Sequence, residues 1–167
     1  MIACARRPST SCVLAEPSDD NKQVTVSALD PFKGRGPELT RFTIDPSSDE
    51  WWYDISPEGT RLATTRNAAG PIDIVSLNGK LLQQIHVKGW SNILAYSWAA
   101  DGKGLFVVVG KRGTKVFLHV DLEGNAHPLW ESLGASGETL PAPSADGRHL
   151  AMQTWTTSGN MWLLENF

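Results

Sequence analysis

The sequence is short of the features that mark membrane-spanning or nucleic-acid-binding proteins. No apolar run in its 167 residues approaches the ~20 residues that cross a bilayer as a helix. The formal net charge is −3, which provides no basic surface for nucleic acid or for acidic lipid headgroups. Arg6 and Arg7 are followed by no apolar segment of the kind found in a secretory signal. We therefore expect a globular domain with no membrane span and no nucleic-acid partner.

Cysteine is also scarce. The chain has only Cys4 and Cys12, eight residues apart, and no histidine lies near them. A metal site needs more ligands than this pair, so a zinc site is excluded. A disulfide and a pair of free thiols both remain open. Two unpaired, half-buried thiols on neighbouring strands are the favoured interpretation.

What the sequence does contain is a repeat. Three segments share a turn of the form Ser/Ala-x-(Asp/Glu)-Gly, and their glycines are Gly59, Gly102 and Gly147. Gly102 follows Gly59 by 43 residues, and Gly147 follows Gly102 by 45 residues. A unit of ~40–50 residues is the length of one β-propeller blade. In each turn the acidic residue can bond back to the backbone, and glycine accepts a positive φ that a side chain would resist.

The residues around these turns alternate between apolar and polar, which predicts strands. Second strands are predicted at 61–65, 104–109 and 149–155, third strands at 72–77, 115–122 and 160–165, and fourth strands at 81–87 and 126–131. A degenerate first copy precedes them, because residues 12–16 align with residues 60–64 at an offset of 48. Its first and fourth strands are predicted at 1–5 and 38–44. No stretch of ten residues has helical periodicity, so almost no helix is predicted.

The repeat resembles that of a known family. Residues 56–63, followed by the strand at 72–77, are similar to the WD-like repeat of TolB-type propellers, whose unit reads Ser-Pro-Asp-Gly-x-x-Leu-Ala. The match recurs at 99–102 and at 144–147 and covers nearly the whole chain. It implies an all-β fold: a β-propeller or partial propeller of four blades, each a four-stranded antiparallel sheet. The resemblance specifies a fold and not an activity.

A narrower resemblance concerns the domain context. Residues 33–42, 87–90 and 160–167 are similar to C-terminal propellers of bacterial, acidobacterial-type proteins, where the propeller follows a serine/threonine kinase or winged-helix domain. This implies a non-catalytic protein-interaction or sensor module in a signalling protein. The alternatives are a periplasmic TolB-like scaffold and the substrate-gating propeller of a prolyl-oligopeptidase-type peptidase. The compartment stays open: extracytoplasmic if a membrane-anchored kinase is attached, and cytoplasmic otherwise.

The domain organisation follows from the repeat. One propeller domain spans 1–167, with repeats near 1–45, 46–88, 89–133 and 134–167. The last repeat ends after its third strand, which leaves no fourth strand, and the family's propellers usually have six or more blades. We expect this chain to be the C-terminal part of a longer protein whose other blades complete the ring. Closure of four blades on themselves is the alternative.

Motifs for catalysis are missing. There is no Gly-x-Ser-x-Gly elbow, no Gly-rich phosphate loop and no Asp-Phe-Gly. The four histidines are scattered over three repeats, and the turn acids Glu58, Asp101 and Asp146 lie on different repeats, one carboxylate each. We therefore expect no enzymatic activity, no cofactor and no metal site. Any kinase or peptidase activity would belong to a domain that this chain does not contain.

Seven tryptophans are the remaining conspicuous feature. Trp98, Trp155 and Trp162 are predicted to fill the wedges between twisted sheets. Trp51 and Trp52 are adjacent, so in a strand they face opposite sides, and Trp90 lies in a loop between repeats. Our hypothesis is an interaction surface for a protein or peptide at Trp51, Trp52 and Trp90, with core packing as the alternative.

Overall fold

The computed structural model describes residues 1–6, 8–45, 51–111, 113–133, 135–156 and 163. Those residues form fourteen β-strands and no helix. The strands are β1 (Ile2–Cys4), β2 (Cys12–Pro17), β3 (Gln23–Asp30), β4 (Gly34–Thr43), β5 (Trp52–Ile55), β6 (Arg61–Thr65), β7 (Ile72–Ser76), β8 (Leu81–Ile85), β9 (Ile93–Trp98), β10 (Gly104–Lys111), β11 (Thr114–Asp121), β12 (Ala126–Leu133), β13 (Ala135–Pro143) and β14 (Leu150–Thr156).

The strands pair in chain order into separate antiparallel sheets, which we call blades. Blade 1 contains β1–β4, blade 2 contains β5–β8, blade 3 contains β9–β12, and blade 4 contains β13 and β14. Each sheet lies within one of the predicted repeats. The third strand predicted at 160–165 lies outside the described residues, apart from Leu163. The chain is an all-β partial propeller.

The repeated turns join the first and second strands of blades 2, 3 and 4. Gly59, Gly102 and Gly147 have φ values of 76°, 66° and 69°. The N–H of each glycine donates to the carbonyl three residues earlier, at 2.8 to 3.1 Å. This left-handed conformation favours glycine because a Cβ would collide with the neighbouring carbonyl. The predicted turn geometry is confirmed.

The blades pack face to face through apolar side chains. Blades 1 and 2 bury a cluster that includes Val13, Val26 and Ile55, and blades 2 and 3 bury a cluster around Ile74 and Trp98. Trp98 is fully buried there, as predicted, because a large ring fills the space between two twisted sheets.

Two other tryptophans were predicted to pack in the same way. Trp155 on β14 is 56% exposed, so the prediction is wrong for this residue. Its side of β14 is not covered by any sheet of the described residues. Trp162 lies outside the described residues.

The two cysteines form a disulfide, which corrects the expectation of free thiols. Cys4 on β1 lies directly opposite Cys12 on β2, with 4.0 Å between their Cα atoms. The Ala5 N–H donates to the Ser11 carbonyl, and the Ala15 N–H donates to the Met1 carbonyl. Hydrogen-bonded and non-hydrogen-bonded pairs alternate along an antiparallel ladder, so Cys4 and Cys12 form a non-hydrogen-bonded pair. Side chains approach closest at such pairs. The sequence pattern predicted the two strands, but the disulfide depends on the register in which they pair.

Candidate functional site: an axial cleft between the first strands

The serines of the repeated turns have structural roles. Ser56 Oγ accepts hydrogen bonds from the Thr60 and Arg61 N–H groups at 3.3 and 3.0 Å. Ser144 Oγ accepts the His149 N–H at 3.0 Å and donates to Asp146 at 2.6 Å. These hydroxyls close the turns.

The three tryptophans of the predicted interaction surface lie in different surroundings. Trp51 stacks on Tyr53 with 6.1 Å between ring centroids and packs against the core between blades 1 and 2. Trp90 follows β8, packs against the core between blades 2 and 3, and has Lys111 Nζ 5.2 Å from its ring centroid. Trp52 lines a cavity that is described below. Trp52 and Trp90 both pack against the core between blades 2 and 3, whereas Trp51 packs against the core between blades 1 and 2.

Trp52 belongs to a set of hydrogen bonds that joins neighbouring first strands. Its indole N–H donates to the Tyr96 carbonyl at 2.8 Å, and the Tyr96 hydroxyl donates to the Trp52 carbonyl at 2.8 Å. In the same way, the Tyr53 hydroxyl of blade 2 donates to the Met1 carbonyl of blade 1. Tyr53 and Tyr96 occupy the same position in successive blades. Each tyrosine thus ties its own blade to the preceding one, and Trp52 ties blade 2 to the blade that follows it.

These first strands surround a cleft of about 540 Å³, which we call the axial cleft. All four blades contribute to it, and blade 4 contributes both of its strands. Its lining is Met1, Ile2, Ala3, Trp52, Tyr53, Asp54, Tyr96, Ser97, Leu140, Pro141, Ala142, Ala151, Met152 and Gln153. Most of these side chains are apolar. Met152, one of the lining residues on β14, is 40% exposed and has a flexible thioether side chain.

Asp54 is the carboxylate in the wall of this cleft. Burial raises the pKa of its carboxyl group, although hydrogen bonds from Trp98 and Ser97 and the positive charge of Arg6 oppose that rise. The Trp98 N–H donates to Oδ2 at 2.9 Å and the Ser97 hydroxyl at 3.0 Å. The Arg6 guanidinium donates to the Trp98 carbonyl at 2.9 Å, and burial lowers the pKa of this guanidinium.

The same carboxylate shows what sequence reasoning missed. Asp54 accepts a third hydrogen bond, from the Ile55 N–H at 2.9 Å, so its oxygens are occupied by groups of blades 2 and 3. Blades 3 and 4 have Ser97 and Ala142 at the equivalent position. An acid at a position that is small in blades 3 and 4 was the available signal. Asp54 therefore forms a polar link between the first strands of blades 2 and 3.

A second, more polar cleft of about 420 Å³ lies between the turns of blades 3 and 4. Asp101, Asp146, His119 and Phe106 are among its lining residues. Asp146 is engaged by the Ser144 hydroxyl and the Arg148 N–H, which lower the pKa of its carboxyl group. Among the residues that the structure describes, no group of three His, Cys, Asp or Glu side chains could hold a metal ion. The described part of the chain also has no helix that could cross a membrane.

The comparisons with known proteins bear on the fold. No family model and no curated protein matches this sequence. A proposed 6-phosphogluconolactonase from Bacteroides uniformis shares 14% identity at a TM-score of 0.52, over 86% of this chain and 47% of that one. A eukaryotic initiation factor shares 14% identity at a TM-score of 0.51, over 91% and 37%. The WD40 domain of SCAP from fission yeast matches at 12% identity and a TM-score of 0.43, over 98% and 43%.

These likenesses concern the fold alone, because the identities are low. The chain spans less than half the length of each of these three structures. The fold that it shares with the first two is therefore about half, or less, of their architecture.

Proposed function

We propose that this chain is a non-catalytic interaction module that binds a protein or peptide segment in the axial cleft. The observation that carries the proposal is the convergence of first strands from all four blades on one mainly apolar cleft of about 540 Å³. Such a cleft suits an apolar side chain held among Trp52, Leu140 and Met152, since apolar sites with a few polar groups are typical of ligand pockets.

The absence of catalytic activity is part of the same proposal. The one carboxylate in the lining, Asp54, has its oxygens occupied by three donors of the protein. Tyr53 and Tyr96 donate their hydroxyl protons to backbone carbonyls. These groups hold the blades together, and a catalytic acid or base would have to reach a substrate instead.

The resemblance to C-terminal propellers of bacterial signalling proteins supplies the proposed context. A TolB-like scaffold would use the same cleft. The Cys4–Cys12 disulfide favours an extracytoplasmic compartment for either role, because disulfides persist in oxidising environments.

The proposal is tested by selecting peptides from a random library on the full chain and measuring their affinity by calorimetry. Met152→Glu places a charge in the apolar cleft, and we expect the selected peptides to bind it at least ~10-fold more weakly. Leu82→Glu is the matched control, because Leu82 is also half exposed but lies on β8, at the outer edge of blade 2. Selection of no peptide, or equal binding by Met152→Glu, would contradict the proposal.

A further inference from the structure

Equivalent positions in successive blades show which side chains a neighbouring blade covers. Ile2, Ile55 and Trp98 each pair with the leucine of the second strand, so they occupy the same place in blades 1, 2 and 3. This side of each blade faces the preceding blade, and we call it the backward face. Ile55 and Trp98 are buried there, by blades 1 and 2 respectively.

The backward face of blade 1 is uncovered. Ile2 is 62% exposed, whereas Ile55 at the same place in blade 2 is 3% exposed. The Cys4–Cys12 disulfide stands on the same face, since Cys4 is two residues from Ile2 along β1. Ile55 is therefore buried by the blade that precedes it, whereas Ile2, at the same position in blade 1, is exposed to solvent.

The opposite side of each blade, its forward face, shows the converse pattern. Ala15 in blade 1 and Ala63 in blade 2 follow the same leucine and are fully buried against the next blade. Ala151 holds this position in blade 4 and is exposed. Gln153 and Trp155 lie on the same side of β14 and are also exposed. Among the described residues, blade 1 thus has an uncovered backward face and blade 4 an uncovered forward face.

We propose that a second copy of this chain covers both faces, so that two half-rings close into one propeller. The contact between blades 1 and 2 and the contact between blades 2 and 3 each join a forward face to a backward face. A partner must therefore supply a backward face to blade 4 and a forward face to blade 1. The chain itself carries one of each, and a two-fold rotation satisfies both contacts at once.

The length comparison agrees with this arrangement. The chain covers 47% of the length of one matched structure and 37% of another, so two copies would span nearly all of the first and about three quarters of the second. The first strands of blades 1 and 4 both line the axial cleft. A partner that contacts both of these blades would extend the wall of the cleft into an axial channel.

Sedimentation velocity of the full chain at about 5 to 50 µM tests the proposal; the range brackets typical dimer affinities. We expect the mass of two chains. Ile2→Glu and Ala151→Lys each place a charge in both contacts and should weaken the dimer at least ~100-fold, to monomer in this range. Phe32→Glu is the matched control, because Phe32 is 98% exposed between β3 and β4 and should leave the dimer intact.

A mixture gives a second readout. In a mixed dimer of Ile2→Glu and Ala151→Lys, one contact is native and the other pairs opposite charges, so the mixture should regain the mass of two chains. Circular dichroism establishes that each variant is folded. A monomeric wild-type chain would overturn the proposal in favour of blades from another polypeptide segment. Open polymers, or a dimer that both variants leave intact, would overturn it as well.

Discussion

At the scale of single residues, one arginine links two blades through three kinds of contact. Arg61 donates to Glu58 at 2.6 Å and to the Gly102 carbonyl of the next blade at 3.2 Å. Its guanidinium also lies 4.8 Å from the ring centroid of Trp98. Burial alone would raise the pKa of Glu58, but the hydrogen bonds and charge of Arg61 outweigh it and hold this pKa at about 2.

The lowered pKa of Glu58 predicts a pH dependence. A carboxylate whose pKa falls on folding stabilises the protein above its ordinary value of 4.5, and this contribution is lost as the pH falls towards 2. Glu58→Gln should therefore lower the free energy of unfolding at pH 7, by less than ~1 kcal/mol because Glu58 is partly exposed to solvent. Urea unfolding at pH 7, 4 and 2.5 should show this difference shrinking towards zero.

The control for this prediction is Glu38→Gln. Glu38 pairs with Arg41 on its own strand and links no two blades, so we expect an effect of no more than a few tenths of a kcal/mol. A loss for Glu58→Gln that is as large at pH 2.5 as at pH 7 would show that charge is not its cause.

At the scale of elements, β1 is the strand that most needs support from outside its own hydrogen bonds. It has three residues, and it pairs only with β2. The disulfide fastens it to β2, the Tyr53 hydroxyl bonds the Met1 carbonyl, and Arg6 just beyond it reaches the Trp98 carbonyl. These contacts hold β1 against the axial cleft, which Met1, Ile2 and Ala3 help to line.

Removal of the disulfide should therefore be costly for so short a strand. The cross-link closes a loop with a sequence separation of eight residues, and loop-closure entropy predicts a contribution of about 2.5 kcal/mol. The double substitution of Cys4→Ser and Cys12→Ser should lower the free energy of unfolding in urea by about that amount. A thiol reductant should produce the same loss in the wild-type chain and none in the variant. A loss below ~0.5 kcal/mol would show that β1 is held by its other contacts.

At the scale of the whole molecule, protection from solvent is uneven across the blades. Strand β10 is paired on both edges, and its residues Val107, Val108 and Val109 are fully buried. On β14, by contrast, Ala151, Gln153 and Trp155 are exposed. Local opening requires less free energy where fewer apolar contacts are broken.

Hydrogen exchange followed by mass spectrometry should reveal this gradient. Amides of β10 should exchange slowest and those of β14 at least ~100-fold faster in a monomeric variant such as Ala151→Lys. Phe32→Glu is the comparison, since it changes neither terminal face. Equal protection of β10 and β14 in the monomeric variant would show that blade 4 is stabilised by contacts other than those of its two described strands.

The sequence alone determined the kind of fold and the order of its strands. Periodicity of two and the glycines at intervals of 43 and 45 residues are local signals, because a turn and a strand depend on near neighbours in the chain. β6 was predicted at its observed bounds, Arg61–Thr65, and Trp98 was correctly placed between blades. The absence of predicted helix agrees with the described residues.

Only the tertiary structure decided what depends on register and on the meeting of distant strands. The disulfide formed because β1 and β2 align Cys4 opposite Cys12, and a shift of one residue would have placed the two side chains on opposite faces. The axial cleft brings together residues as far apart as Met1 and Gln153, which no local pattern connects. Trp155 looked like its buried counterparts in sequence, but burial depends on whether another sheet covers the face on which a residue stands.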